Sequence, residues 1–367
     1  MNVQESVQRL RTCLLRWFRK NARHLPWRKT ADPYAIWVSE VMLQQTQVET
    51  AKPYYDRFLR RFPTVKKLAK ARLDTVLKVW EGLGYYGRAR NLHLAAKRIV
   101  SEFAGRIPQD KHTLLSLPGI GQYTAGAISS IAFGRAEPVV DGNVTRVLSR
   151  VFRLRGNPQS AEVKRKLWSL ATDLVPPKRP GLFNQALMEL GSTVCVRGKP
   201  KCDVCPLARI CGAKRHGEQG ILPARAPKKE LPRYTVAVGI IYNKGKVLID
   251  KRKPTGLLGG LWEFPGGKKK KRESLKAALK REVREELGIE VSVDRPLMTV
   301  EHAYSHFQVR LHVFECKHVA GRPRCHSCQA AKWVQPSRLR RYAFPAANKK
   351  IIEGLKIRGR NVRRHRP

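Results

Sequence analysis

The chain has 367 residues, 42% of them apolar, and its 74 lysines and arginines against 28 aspartates and glutamates give a formal net charge of +46. That length predicts two or three packed domains, and a field of that sign and size selects polyanionic partners, nucleic acid first. No apolar run is long enough to span a bilayer, no amphipathic segment stands out for an acidic membrane surface, and the first twenty residues lack the apolar core of a signal peptide.

Residues 1 to about 130 read as successive helices with short loops, broken at Leu25-Pro26, Phe62-Pro63, Ile107-Pro108 and Leu117-Pro118. Leu10, Leu14, Leu15, Trp17 and Phe18 form the face of a first helix. A second starts at Asp32, a good N-cap, with Pro33 at the first helical position. Its residues Ile36, Trp37, Val41 and Met42 are spaced for a buried face, and Glu40 sits among them. A carboxylate in apolar surroundings has a raised pKa, and one that holds its proton near neutral pH can act as a general acid. The plainer reading is a solvated helix glutamate. Gln44, Gln45 and Thr46 lie where this helix should turn.

Gly82-Leu83-Gly84-Tyr85-Tyr86 is a flexible loop with large side chains. It suits either a wedge pushed between base steps or a tyrosine corner packed into a helical core. Leu117-Pro118-Gly119-Ile120-Gly121 opens a helix from Tyr123 to Phe133, and such a turn presents backbone N–H groups to a phosphate. Gly-x-Gly alone fits any tight turn. In Val139-Val140-Asp141-Gly142-Asn143 the aspartate reads as an N-cap, and Val144, Val147, Leu148, Val151 and Phe152 then form a helical stripe.

Cys195-x6-Cys202-x2-Cys205-x5-Cys211 is the strongest metal signal. Four thiolates in a basic segment suit an iron–sulfur cluster, and they equally satisfy tetrahedral zinc. The chain has eight cysteines; their clustering and the missing signal peptide favour a reducing cytosol and metal ligation over disulfides. Cys325-His326-Ser327-Cys328, with Cys316 near, is incomplete as a four-ligand zinc site, and Cys13 reads as a small core residue.

Gly217, Gly220, Pro223, Pro227 and Pro232 break any pattern between residues 212 and 232, which reads as a linker. Val236 to Tyr242 and Val247 to Asp250 are strand-like, joined by the hairpin signal Asn243-Lys244-Gly245-Lys246, and Phe307 to Cys316 alternates like another strand. Gly267-x5-Glu273-x7-Arg281-Glu282-Val283-Arg284-Glu285-Glu286-Leu287-Gly288-Ile289 is a full Nudix box. Glu282, Glu285 and Glu286 fall along one flank of a helix and suit Mg²⁺ with a pyrophosphate substrate, while Leu275, Leu279, Val283 and Leu287 pack that helix onto a sheet. Lys268 to Arg272 fills the loop of the box with positive charge. Arg358 to Pro367 reads as a disordered basic tail adding salt-sensitive DNA affinity.

Ser39-Glu40-Val41-Met42-Leu43-Gln44-Gln45-Thr46 resembles the signature of adenine DNA glycosylases of the helix-hairpin-helix superfamily. The Gly82–Tyr86 loop, Leu117–Ala125, Val140–Val144 and the four cysteines from Cys195 follow in that family's order, so the resemblance covers nearly the whole chain. It implies catalytic roles for Glu40, Asp141, Tyr123 and Asn143, with Glu40 protonating adenine and Asp141 stabilising the cationic sugar. Related bifunctional enzymes carry a Schiff-base lysine where Tyr123 stands, so strong lyase activity is not expected. The resemblance places Gln45, Thr46, Leu83, Tyr85, Gly119 and Gly121 on DNA, with Gln45 reaching into the duplex and Tyr85 intercalating. Arg23, Trp27 and Arg28 would line the adenine pocket, although a core role suits Trp27 as well. The cysteine spacing matches the family's [4Fe–4S] loop. Tyr304-Ser305-His306 resembles its Phe-Ser-His segment, making Ser305 the candidate reader of 8-oxoguanine.

The fold expected is a mainly α helix-hairpin-helix glycosylase module with an iron–sulfur loop, plus a C-terminal α/β (α+β) Nudix-like domain. The boundaries are 1–215, with the [4Fe–4S] loop at 195–211, a linker at 216–232, a lesion-recognition domain at 233–356 and a basic tail at 357–367. The resemblance implies a monofunctional base-excision repair enzyme that hydrolyses adenine from A:8-oxoguanine and A:G mispairs in double-stranded DNA. A monomer in a bacterial cytoplasm, at the nucleoid and away from membranes, is expected. The family's box is usually degenerate. An intact one is either a retained structural motif or a working Mg²⁺-dependent nucleotide pyrophosphatase, alone with a DNA tether or alongside the glycosylase.

Overall fold

The structure is a computed structural model that describes residues 3–224 and 230–364, with side chains to residue 355. The middle of the expected linker and the end of the basic tail lie outside the described residues. The helices are α1 (Val3–Asn21), α2 (Pro33–Leu43), α3 (Val48–Arg61), α4 (Val65–Lys70), α5 (Leu73–Trp80), α6 (Gly87–Glu102), α7 (Lys111–Leu115), α8 (Gln122–Ile131), α9 (Gly142–Val151), α10 (Ala161–Leu174), α11 (Pro180–Thr193), α12 (Gly212–Arg215), α13 (Leu275–Leu287) and α14 (Ala346–Arg364). The strands are β1 (Arg233–Asn243), β2 (Lys246–Lys251), β3 (Trp262–Glu263), β4 (Gly266–Lys268), β5 (Glu290–Ala303), β6 (Gln308–Ala320) and β7 (Ala330–Val334). Packing groups residues 1–70 with 91–228, and residues 71–90 with 229–367. No described helix is long and apolar enough to cross a membrane.

The first unit is helical. Asp32 caps α2 by accepting from the Tyr34 and Ala35 amides. Every residue from Tyr34 to Met42 is buried, so α2 has no solvated face and is a core helix surrounded by others. The sequence pattern had suggested one buried face; the helix is apolar all round. Beside it, Leu10, Leu14 and Phe18 of α1 share a core with Val144, Val147 and Leu148 of α9 and Phe183, Leu187 and Leu190 of α11. Phe152, counted in the same stripe, is 37% exposed, because α9 ends at Val151.

The second unit is built on a seven-stranded sheet of order β3-β2-β1-β6-β5, with β4 on β1 and β7 on β2. β1 and β2 form the expected hairpin, with Lys244 (φ 46°) and Gly245 (φ 73°) at its tip. Two left-handed residues match the twist of the flanking strands. β1 runs parallel to β6 from Arg233–Gln308 to Tyr242–Lys317, and β5 returns antiparallel to β6. Ala278, Leu279, Val283 and Leu287 of α13 cover one face over Ala237, Ile241 and Phe314. Phe344, Ile351 and Ile352 pack on the other face. This packing fixes the first turns of α14, and each further residue then adds one backbone bond. α14 runs to Arg364, so the start of the expected basic tail continues this helix.

Residues 71–90 are fastened to this sheet. Asp74 pairs with Lys251 at 2.6 Å, Lys78 Nζ donates to the Tyr342 carbonyl at 3.0 Å, the Phe344 amide donates to Glu81 at 3.0 Å, and Arg90 donates to the Gly259 carbonyl at 2.7 Å. Cys325 and Cys328 form a disulfide, so they are not a thiolate pair for zinc, and the preference for metal ligation over disulfides does not extend to them. Their loop is held by the Arg324 and His326 amides, which donate to the Leu287 and Glu286 carbonyls at 2.9 and 3.0 Å.

Candidate active site

Glu40 lies in the last turns of α2 and is 4% exposed. The Tyr123 hydroxyl, from α8, donates to its carboxylate and also reaches Met188 Sδ at 3.3 Å. Burial pushes Glu40 up to about 7; the Tyr123 bond opposes this, the Asp141 charge adds to it, and Arg28 draws it down. Burial likewise raises Tyr123 well above the usual phenol range, with Glu40 and Asp141 adding to the shift. A carboxyl group in this setting keeps its proton at neutral pH in part of the population, which is what a general acid needs.

Asp141 caps α9. Its Oδ1 accepts from the Asn143 and Val144 amides at 2.9 and 2.7 Å, and Oδ2 accepts from Asn143 Nδ2 at 2.9 Å. The cap therefore holds both oxygens of this carboxylate in fixed positions. Burial raises its pKa and these three bonds pull it back. Arg146 donates to Asn143 Oδ1 at 2.8 Å, to the Gly191 carbonyl at 2.6 Å and to the Cys195 carbonyl at 2.6 Å. α11 comes this close because residue 191 is glycine: a Cβ there would stand 2.6 Å from the Asn143 Cβ.

Arg23 and Arg28 converge on Glu189 of α11, which is 1% exposed. Arg23 makes two side-chain bonds to it at 2.8 Å and a third to Ser192 at 2.7 Å, and Arg28 adds another at 2.8 Å. Burial alone would raise Glu189, but the two guanidiniums hold it down at about 2. Trp27 is buried, edge-on to Tyr55 with ring centroids 5.3 Å apart. Glu189 and Arg146 were not singled out from the sequence. The signals were a lone acid in α11 and two arginines, Arg146 and Arg150, among the apolar residues of α9.

Gln45 follows α2 with a left-handed backbone (φ 56°), and Tyr85 has the same conformation (φ 48°). Both side chains are bulky, and such strain concentrates at binding sites. Neighbouring Gln44 donates to Thr124 at 3.1 Å. Gly119 is left-handed (φ 76°) and Gly121 is the N-cap of α8, so the hairpin turn delivers backbone N–H groups at a helix start.

In the second unit, Tyr85 is 38% exposed, whereas Leu83 is 6% exposed and belongs to the core; of the two expected in the wedge, only Tyr85 presents itself. Its hydroxyl lies 2.5 Å from Ser305 Oγ. Both border a cavity of about 430 Å³ with Arg88, Leu257, Tyr304 and His306.

Cys195, Cys202, Cys205 and Cys211 line one pocket. Burial pushes the Cys205 thiol up to about 11, with the other three adding to the shift. Arg150 donates to Cys195 Sγ at 3.3 Å. Among the described residues no three His, Cys, Asp or Glu side chains close around a single metal ion. At the Nudix box, Arg281 pairs with Glu273, Glu282 and Glu285 at 2.8, 2.8 and 3.0 Å. Glu286 is pushed up to about 7 by burial and by Glu263 and Glu282.

The helical module with its hairpin turn, followed by a Nudix-type domain, is the architecture of a base-excision repair glycosylase. Residues 38–172 match the family of HhH-GPD superfamily base excision DNA repair proteins, and residues 237–354 match the NUDIX domain. The chain is 37% identical to the adenine DNA glycosylase of Homo sapiens, over 94% of this chain and 74% of the relative. It is 36% identical to that of Buchnera aphidicola subsp. Acyrthosiphon pisum, over 80% and 82%. The chain belongs to the adenine DNA glycosylase family, hydrolases of base excision repair that bind DNA. Among solved structures it is similar to a thermostable thymine-DNA glycosylase (TM-score 0.53, 30% identity, 58% of this chain and 98% of that one). The fold also matches that of endonuclease III in a non-covalent DNA complex (TM-score 0.51, 20% identity, 59% and 99%).

Proposed function

We propose that the protein is a monomeric, monofunctional glycosylase that removes adenine opposite 8-oxoguanine, and also opposite guanine. The observation that carries this reading is the buried Glu40 carboxyl, held by Tyr123 and titrating near 7. Glu40 transfers its proton to a ring nitrogen of the extruded adenine. The N-glycosidic bond then breaks with its electron pair going to the base, leaving an oxocarbenium-like sugar. Asp141, fixed by Asn143 and the α9 amides, faces that cation as a carboxylate, and water completes the hydrolysis, the two-carboxylate logic of glycoside cleavage. Tyr123 orients Glu40 and, as a phenol, forms no Schiff base. Arg23, Trp27 and Arg28 border the adenine pocket, with Glu189 fixing the two guanidiniums.

Gln45, Thr46 and Tyr85 engage the duplex, Gly119 and Gly121 hold a phosphate, and Ser305 with Tyr304 and His306 reads the oxidised guanine. The strained backbone at Gln45 and Tyr85 supports the probing roles. Four free thiols lining one pocket, with Arg150 on Cys195, fit a [4Fe–4S] cluster held by Cys195, Cys202, Cys205 and Cys211. Such a group would clip the loop and supply no step of the reaction.

The test compares single-turnover adenine release from A:8-oxoguanine and A:G duplexes by wild type and Ser305→Ala. The reading expects free adenine with an intact strand, no borohydride-trapped adduct, and a preference for 8-oxoguanine that weakens in Ser305→Ala. A trapped adduct would contradict the monofunctional assignment, and an unchanged preference would remove Ser305 as the reader.

A further inference from the structure

The segment expected to read the lesion is very short. β5 ends at Ala303 and β6 starts at Gln308, opposite it. The Tyr304 amide donates to the Phe307 carbonyl at 2.8 Å, so Ser305 and His306 alone form the tip. Both are exposed, and neither brings apolar surface that would anchor it. A two-residue tip of exposed polar side chains is positioned by what flanks it.

What flanks it is a run of aromatic rings. Tyr304 and Phe307 stack with centroids 4.8 Å apart and planes at 25°. His302 meets Tyr304 edge-on at 4.5 Å. On the other side Tyr234 lies 5.8 Å from Phe307, and Lys268 Nζ stands 3.5 Å above the Tyr234 ring. Offset and edge-on ring contacts of this kind hold their partners in preferred orientations. The run leads from the basic loop of the Nudix box to the turn carrying Ser305, whose hydroxyl lies 2.5 Å from that of Tyr85. Phe307 falls one position past the segment the sequence pointed to, and Tyr234 lies 71 positions before Ser305 (305 minus 234).

We propose that Phe307, backed by Tyr234, is a positioning residue for lesion discrimination. Its ring clamps Tyr304 so that the Ser305 hydroxyl stays beside Tyr85, where one hydrogen bond can separate an oxidised purine edge from guanine. The proposal rests on the reading of Ser305 as the lesion reader.

The experiment uses the full chain. Adenine release is measured in single turnover on A:8-oxoguanine and A:G duplexes for wild type, Phe307→Ala, Phe307→Tyr, Tyr234→Ala, Ser305→Ala and Phe307→Ala/Ser305→Ala. Phe307→Ala should lower the 8-oxoguanine preference about fivefold to tenfold, the loss of one hydrogen bond. Tyr234→Ala should lower it less. Phe307→Tyr, which keeps the ring, should restore it. The double variant should match Ser305→Ala alone, because Phe307 acts only through the serine. Equal slowing on both duplexes, or a wild-type ratio in Phe307→Ala, would overturn the proposal. A normal preference in Ser305→Ala would overturn the underlying reading instead, and a wild type without preference would overturn both.

Discussion

Arg146 binds the Cys195 main chain: its Nε donates to the Cys195 carbonyl at 2.6 Å while Nη2 donates to Asn143 Oδ1 at 2.8 Å. One buried guanidinium thus joins the cysteine loop to the residue bracing Asp141. Arg146→Met would remove the donor from one buried acceptor, the Gly191 carbonyl, and from two part-buried ones on Asn143 and Cys195. Such groups cost about 1–3 kcal/mol each, with partial relief by water. Urea unfolding of the variant should show a loss of about 3 kcal/mol, with slower adenine release. A midpoint equal to that of wild type would show that the bridge carries no stability.

Glu40 titrates near 7 because burial outweighs the Tyr123 bond. With Glu40 as the proposed acid the active form is the protonated one, so the single-turnover rate should be level below that pH and fall about tenfold per unit above it. A rate that is flat or rises across this range would remove Glu40 as the acid.

Glu189 is held down at about 2 from an ordinary value of 4.5 by Arg23 and Arg28. A depressed carboxylate stabilises the fold fully above its unfolded pKa, and this contribution fades as pH falls through the folded value. The shift corresponds to roughly 3 kcal/mol. Glu189→Gln should therefore be less stable than wild type at pH 7, and the two should converge in acid. A gap that persists at low pH would place the effect elsewhere.

Arg281 pairs with three glutamates of the Nudix box, which favours a structural brace over a set of free metal ligands. Arg281→Met should unfold the second unit at lower urea. Wild type with Mg²⁺ and 8-oxo-dGTP should release no pyrophosphate. Pyrophosphate release abolished by Glu285→Gln would establish the nucleotide-hydrolase reading.

Local signals were the legible ones. The Asp32 cap, the Lys244-Gly245 hairpin and the apolar stripe of α13 each depend on neighbours in sequence, and the structure has them where their residues predict them. For Glu40 the helix pattern alone favoured a solvated glutamate, and its burial at 4% exposure corrects that reading, because helices surround α2 on every side. Glu189 was not legible, because its partners Arg23 and Arg28 lie more than 160 positions away. The burial of Leu83, the Phe307–Tyr234 pair and the attachment of residues 71–90 to the sheet likewise arise only from tertiary packing.

The most direct test of the central claim is single-turnover adenine release from a duplex with one A:8-oxoguanine pair, comparing wild type with Glu40→Gln. The amide fills the same space and accepts the Tyr123 bond, but has no acidic proton to give. Rapid release by wild type and none above background by Glu40→Gln is the result predicted. Release at the wild-type rate from a folded, DNA-binding Glu40→Gln would contradict it.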